Sequence, residues 1–161
     1  MDPQAASDAQ QCVWVLENGS GLRDWVEQAT SGIRIQQIKC ATFAVGSPGL
    51  LWLVGLARRR HAHLQILSDE GQTNPTIAPL SLLELISDGQ AQWHAVAATP
   101  GPLPGKEGWF HPKILLFDDR IAVVGSANLT GCGLGLSIPP HHTEMSVGFR
   151  GPGAQAALAA C

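Results

Sequence analysis

Two short stretches of the chain carry side chains suited to work on a phosphate ester. Phe110-His111-Pro112-Lys113 leads into the apolar run Ile114 to Phe117, and Gly125-Ser126-Ala127-Asn128 closes a second run, Ile121 to Val124. Alternate side chains of an extended strand share a face, so His111 and Lys113 point the same way. An imidazole there can attack or relay protons, and a fixed ammonium beside it can hold a phosphate oxygen. Gly125 permits close backbone approach. The Ser126 hydroxyl, the Asn128 amide and nearby backbone N–H groups can donate to an oxyanion. Between the runs, Asp118-Asp119 reads as a tight reversal that lays the second strand against the first. Lys113, Ser126 and Asn128 thus form a phosphate-binding set beside one histidine.

The spacing His111-x-Lys113, four residues, Asp118, six residues, Gly125-Ser126-x-Asn128 resembles the signature of the phospholipase D superfamily, the HKD motif. Six specified residues at fixed spacing arise by chance about once in 10⁷ to 10⁸ starting points, with each type taken at roughly one in twenty. The similarity continues through Leu129-Thr130-Gly131 to Glu144, and residues from about 20 to 150 fit the family layout. The resemblance implies a site built from two such motifs facing each other across a pseudo-twofold axis. This chain has one, since neither His61 nor His63 is followed by a matching Lys. The small bacterial nuclease members of the family, which it resembles, imply that two copies pair as a homodimer to complete one site.

In that scheme His111 of one subunit attacks phosphorus and His111 of the other protonates the leaving oxygen. Lys113, Asn128 and Ser126 hold the phosphoryl oxygens, with no metal and no cofactor required. Glu144 accepts from His111 Nδ1 and fixes its tautomer. Asp118 belongs to the motif, and it also reads as a turn or cap former that supports the pocket without touching substrate. Ser126 has an alternative as a helix cap, and the long loop before Glu144 leaves its register open. The implied activity is a metal-independent phosphodiesterase, a nuclease acting on nucleic acid, with DNA ahead of RNA. Such domains also serve as cleavage modules in larger restriction or anti-phage assemblies. The rivals are a lipid phosphodiesterase of the same family and a non-catalytic phosphate-binding or pairing module.

The elements that must position these residues follow from periodicity. Asn18-Gly19-Ser20 opens a helix with Leu22, Trp25, Val26 and Ala29 on one face, stopped by Gly32. Ile33, Ile35 and Ile38 to Val45 read as extended chain. Ser47-Pro48 supplies a cap and first turn for a second helix that ends in Arg58-Arg59-Arg60, cations at its negative pole. Leu64 to Leu67 and Trp93 to Ala98 read as strands around a third helix, Leu80 to Ile86. A strand at Cys12 to Leu16, another over Glu144 to Phe149 and a short helix over Gln155 to Ala160 complete the pattern. Helices alternate with strands early and strands dominate later. This order favours an α/β fold, a mixed β-sheet flanked by helices as in a phospholipase D-like α/β/α sandwich. Residues 1–10 read as a flexible leader and 11–161 as one catalytic domain.

Of the 161 residues, 45% are hydrophobic and 14% charged, which excludes a disordered polyelectrolyte. A net charge of −3 argues against a protein that coats nucleic acid, while leaving room for one local basic patch. No apolar run approaches the roughly 20 residues of a membrane span and no secretory signal is visible, so the expected setting is cytoplasmic with no membrane partner. Cys12, Cys40, Cys132 and Cys161 form no C-x-x-C pair and read as reduced thiols. His61, His63, His141 and His142 lack metal-ligand spacing. Arg58 to Arg60 read as a solvated helix end. Trp14, Trp25, Trp52 and Trp93 read as core, and Trp109 is a candidate wall of the substrate groove.

Overall fold

Alternating buried residues in the strands and apolar stripes on the helices converge on one cluster. The computed structural model describes residues 12–97, 99–100, 107–108, 110–137, 143–151 and 154. The elements are β1 (Cys12–Glu17), α1 (Asn18–Ala29), β2 (Gln37–Thr42), α2 (Ser47–Arg60), β3 (His63–Asp69), α3 (Leu80–Ser87), β4 (Ala91–Val96), β5 (Thr99–Pro100), β6 (Glu107–Gly108), β7 (Lys113–Phe117), β8 (Ile121–Gly125) and β9 (Met145–Arg150). A seven-stranded mixed sheet has the order β1-β9-β8-β7-β2-β3-β4, and β5 and β6 form a separate two-stranded ribbon. The pairs β2/β3 and β3/β4 are parallel, and every other pair in the large sheet is antiparallel.

Ile38, Cys40, Leu64, Ile66, Leu115, Phe117 and Val123 supply the buried face of the sheet. They join one core with Leu22 and Val26 of α1, Leu50, Leu53 and Val54 of α2, and Leu82 and Leu85 of α3. Trp25, Trp52 and Trp93 pack against that core, as their periodicity implies. The described helices therefore cover one face of the sheet. On the other, Ala41, Leu67, Ile114 and Leu116 line an apolar groove of about 370 Å³.

Helix α2 has the bounds read from its sequence, with Pro48 in the first turn and three arginines in the last. Its cap differs. Gly46 occupies the N-cap position without a side-chain cap, and the Ser47 hydroxyl donates to the Ile77 carbonyl at 2.8 Å instead. Arg58 to Arg60 are not merely solvated: Arg58 pairs with Glu84 (2.6 Å), and Arg59 and Arg60 pair with Glu27, which ties α2 to α3 and α1. Helix α1 ends at Ala29, three residues before Gly32. β2 is shorter than the extended run in the sequence: it starts at Gln37 and ends at Thr42, and Val45 makes only an isolated parallel bridge to Leu129. The leader 1–10, the helix over Gln155 to Ala160, His141, His142, Trp109 and the Trp14 side chain lie outside the described residues.

Candidate active site

The site grows from the β7–β8 hairpin and its neighbour β2. Because β2 and β7 are antiparallel, with Thr42 opposite Lys113, the start of β7 lies at the carboxyl end of β2. Ligands favour that end of strands in open α/β sheets. His111 is exposed just ahead of the strand. Its ring packs on Phe43, centroids 4.4 Å apart and tilted by 47°. Lys113 Nζ lies 3.0 Å from Nδ1 and 3.2 Å from Nε2 of the same ring, and 5.4 Å from the Phe43 centroid. An ammonium at that distance from an aromatic face gains cation–π attraction. Phe43 is thus a platform for both groups.

Burial lowers the Lys113 pKa from its ordinary 10.5, and the negative charge of Glu144 opposes that shift. Glu144 is buried, and its carboxylate accepts a hydrogen bond from the Ser126 hydroxyl. Ser126 is held on three sides. Its N–H donates to the Met145 carbonyl at 3.0 Å, and its Oγ accepts from Met145 N–H at 3.0 Å while donating to Glu144. Residues 127–137 hold no helix for Ser126 to cap. Glu144 holds Ser126, and the ring nitrogens of His111 sit beside Lys113.

Asn128 Oδ1 accepts from Ala44 N–H at 3.3 Å, which fixes the amide and leaves its NH₂ group to donate. The buried Thr42 hydroxyl locks the same junction, accepting from Leu129 N–H at 3.2 Å and donating to the Ala44 carbonyl at 3.1 Å. Lys113 and Asn128 line one small cavity of about 20 Å³ with Thr42, Gly125 and Ser146. Behind Asn128 the loop 131–135 is packed so tightly that a Cβ on Gly133 would meet the Asn128 carbonyl oxygen at 2.5 Å. Arg23 of α1 clamps this loop by donating to the Leu134 carbonyl at 2.7 Å.

Asp118 is not with the others. It follows the far end of β7, about 17 Å from Lys113 at roughly 3.4 Å per residue. There it takes a left-handed conformation (φ 49°), and its carboxylate accepts from Gln37 N–H at 2.8 Å and Gln36 N–H at 3.2 Å. It ties the β7–β8 turn to the start of β2. His61 ends α2, His63 opens β3 near Asp118, and His94 lies on the open sheet face. Among the described residues no three His, Cys, Asp or Glu side chains are placed to share a metal ion. Sequence reasoning missed Phe43 and Thr42. They lie about 70 residues before the motif, and no spacing rule announces which strand end will meet β7.

Residues 22–149 match the family model described as cardiolipin synthase, PLD-like domain. No curated protein matches the chain. Among solved structures, NucT from Helicobacter pylori is similar with a TM-score of 0.68 at 17% identity, over 94% of this chain and 91% of that one. Nuc, a phospholipase D family member from Salmonella typhimurium, has a TM-score of 0.61 at 18% identity with the same coverage. Phosphatidylserine synthase from Haemophilus influenzae has a TM-score of 0.62 at 14% identity, over 93% of this chain and 37% of that one. With a family model spanning most of its length, and with His111, Lys113 and Asn128 close to one strand end, the chain belongs to the phospholipase D-like superfamily.

Proposed function

We propose that the chain is a metal-independent phosphodiesterase that cleaves nucleic acid through a phosphohistidine, using a site completed by a second copy. The observation that carries this reading is the trio of His111, Lys113 and Asn128, with the imidazole exposed, the ammonium against it, and the amide sharing a cavity with the ammonium. An in-line displacement needs a nucleophile on one side of phosphorus and an acid on the other. Among the described residues His61, His63 and His94 lie away from the site, and the resemblance to single-motif family members implies that the second imidazole is His111 of the partner subunit.

A ring nitrogen of His111 forms a bond to phosphorus while the bond to the bridging oxygen breaks. The partner copy's histidine gives that oxygen its proton. The same histidine then takes a proton from water, whose oxygen displaces the imidazole. Lys113, the Asn128 amide and Ser126 offset the charge on the non-bridging oxygens. Glu144 holds Ser126 and favours the charged form of Lys113.

A lipid phosphodiester is the second reading, favoured by the cardiolipin synthase description of the family model. The nucleic-acid reading is supported by the resemblance to small single-motif members and by a site that opens at the surface. Assembly into a larger restriction or anti-phage complex extends the same reading. The test incubates the wild type and His111→Ala with labelled DNA, labelled RNA, phosphatidyl lipid vesicles and a phosphodiester dye in excess EDTA. Turnover of nucleic acid and dye by the wild type, reduced at least about 10⁴-fold in His111→Ala, is the expected outcome. Lipid turnover alone, or activity that survives the substitution, contradicts it.

A further inference from the structure

The chain has ten lysines and arginines, and most are committed. Arg58, Arg59 and Arg60 are paired with Glu84 and Glu27, Arg23 is bound to loop carbonyls, and Lys113 is in the site. Lys106 lies outside the described residues. The remaining four, Arg34, Lys39, Arg120 and Arg150, are exposed and have no ion pair among the described residues. All four gather at the end of the sheet remote from His111. Arg34, Lys39 and Arg120 line an open polar cleft of about 750 Å³ with His63. Arg120 and Arg150 line an adjoining hollow of about 260 Å³, beside the β8–β9 register pair Ile121 and Arg150. Two carboxylates face the same region. Asp118 spends its oxygens on the Gln36 and Gln37 N–H groups, and Asp119 sits at the rim.

In a chain of net charge −3, four unpaired cations on one end make an uneven field. Arginine forks without carboxylate partners suit phosphate oxygens. We infer that this end is a second anion-binding surface, which takes the phosphodiester backbone of the nucleic acid away from the bond being cut. The inference rests on the nucleic-acid reading of the site. About 17 Å separates Asp118 from Lys113, and a duplex strand carries one phosphate per about 3.4 Å. A substrate must therefore exceed roughly five or six nucleotides to touch both places. Length dependence follows directly.

The test measures binding of a labelled 30-mer DNA, single-stranded and duplex, to the His111→Ala chain, which does not cut it. Arg34→Gln/Arg120→Gln is compared with Asn74→Asp/Leu83→Glu, a pair of exposed changes that lowers net charge equally at a different place. Losing two phosphate contacts should weaken binding about tenfold near 50 mM salt and reduce the slope of log K against log salt by about two. The control pair should leave the slope unchanged. With His111 intact, the arginine variant should turn over a small phosphodiester dye as the parent does, which also reports folding. Should it lose that turnover, Lys39→Gln/Arg150→Gln is read in its place.

Unchanged 30-mer binding in the arginine variant, or equal weakening in the control, overturns the inference while the proposed reaction stands. A His111→Ala parent that binds no nucleic acid overturns both.

Discussion

A lysine set against an imidazole and an aromatic ring gives up water, and the charged form bears the cost. That is why burial lowers the Lys113 pKa and why Glu144, which favours the ammonium, opposes the shift. If turnover needs the ammonium, activity falls as pH rises through a pKa below that of an ordinary lysine. Glu144→Gln removes the opposing charge, so the Lys113 pKa falls further. The alkaline limb of kcat/KM should move to lower pH, as a pH–rate profile of the two proteins would reveal. A limb that stays in place would separate Glu144 from Lys113. Asp118 belongs to different physics. Asp118→Asn keeps an acceptor oxygen and tolerates the left-handed backbone, but loses the charge that strengthens its hydrogen bonds. We expect about 1–2 kcal/mol less stability by denaturant melt, with kcat close to that of the parent. Motif spacing alone makes His111, Lys113, Ser126 and Asn128 legible in the sequence. Phe43 is not legible, because a ring becomes a platform only when two distant strands meet.

At the scale of elements, the site depends on close backbone approach. Residues 126–130 are gripped from three sides: by β9 through Ser126 and Met145, by β2 through Thr42, and by loop 131–135 from behind. Gly133 has no room for a methyl group, since the obstructing atoms are the Asn128 backbone oxygen at 2.5 Å and nitrogen at 2.9 Å. Gly133→Ala should destabilise the protein by about 1–3 kcal/mol and, unlike Asp118→Asn, depress kcat by displacing Asn128. Thermal melting and steady-state kinetics on one preparation separate the two effects, and native kcat would show that Asn128 is not positioned from behind. Helix α2 is legible from end to end because Pro48 and the arginine triplet mark its two poles. β2 is less so. Its apolar run continues to Val45, but the chain leaves the ladder after Thr42, where the Thr42 hydroxyl takes over pairing with the next loop.

At the scale of the molecule, the mixed α/β sheet follows from the order of elements, whereas the strand neighbours do not. Nothing local states that β1 will pair with β9 or β2 with β7. The same limit hides the gathering of Arg34, Lys39, Arg120 and Arg150, which are spread over more than 100 residues of sequence. Burial raises the Cys40 thiol to about 12, as befits a core residue rather than a reactive one. In the proposed reaction two chains share one phosphorus, with a single His111 attacking at a time. The direct measurement mixes the protein with excess substrate labelled at the scissile phosphate and quenches it in base, where a phosphoramidate survives. Label is then counted per chain and mapped to its residue. Label on His111 at no more than one per two chains is expected; label approaching one per chain, or carried by any other residue, would rule out a shared site.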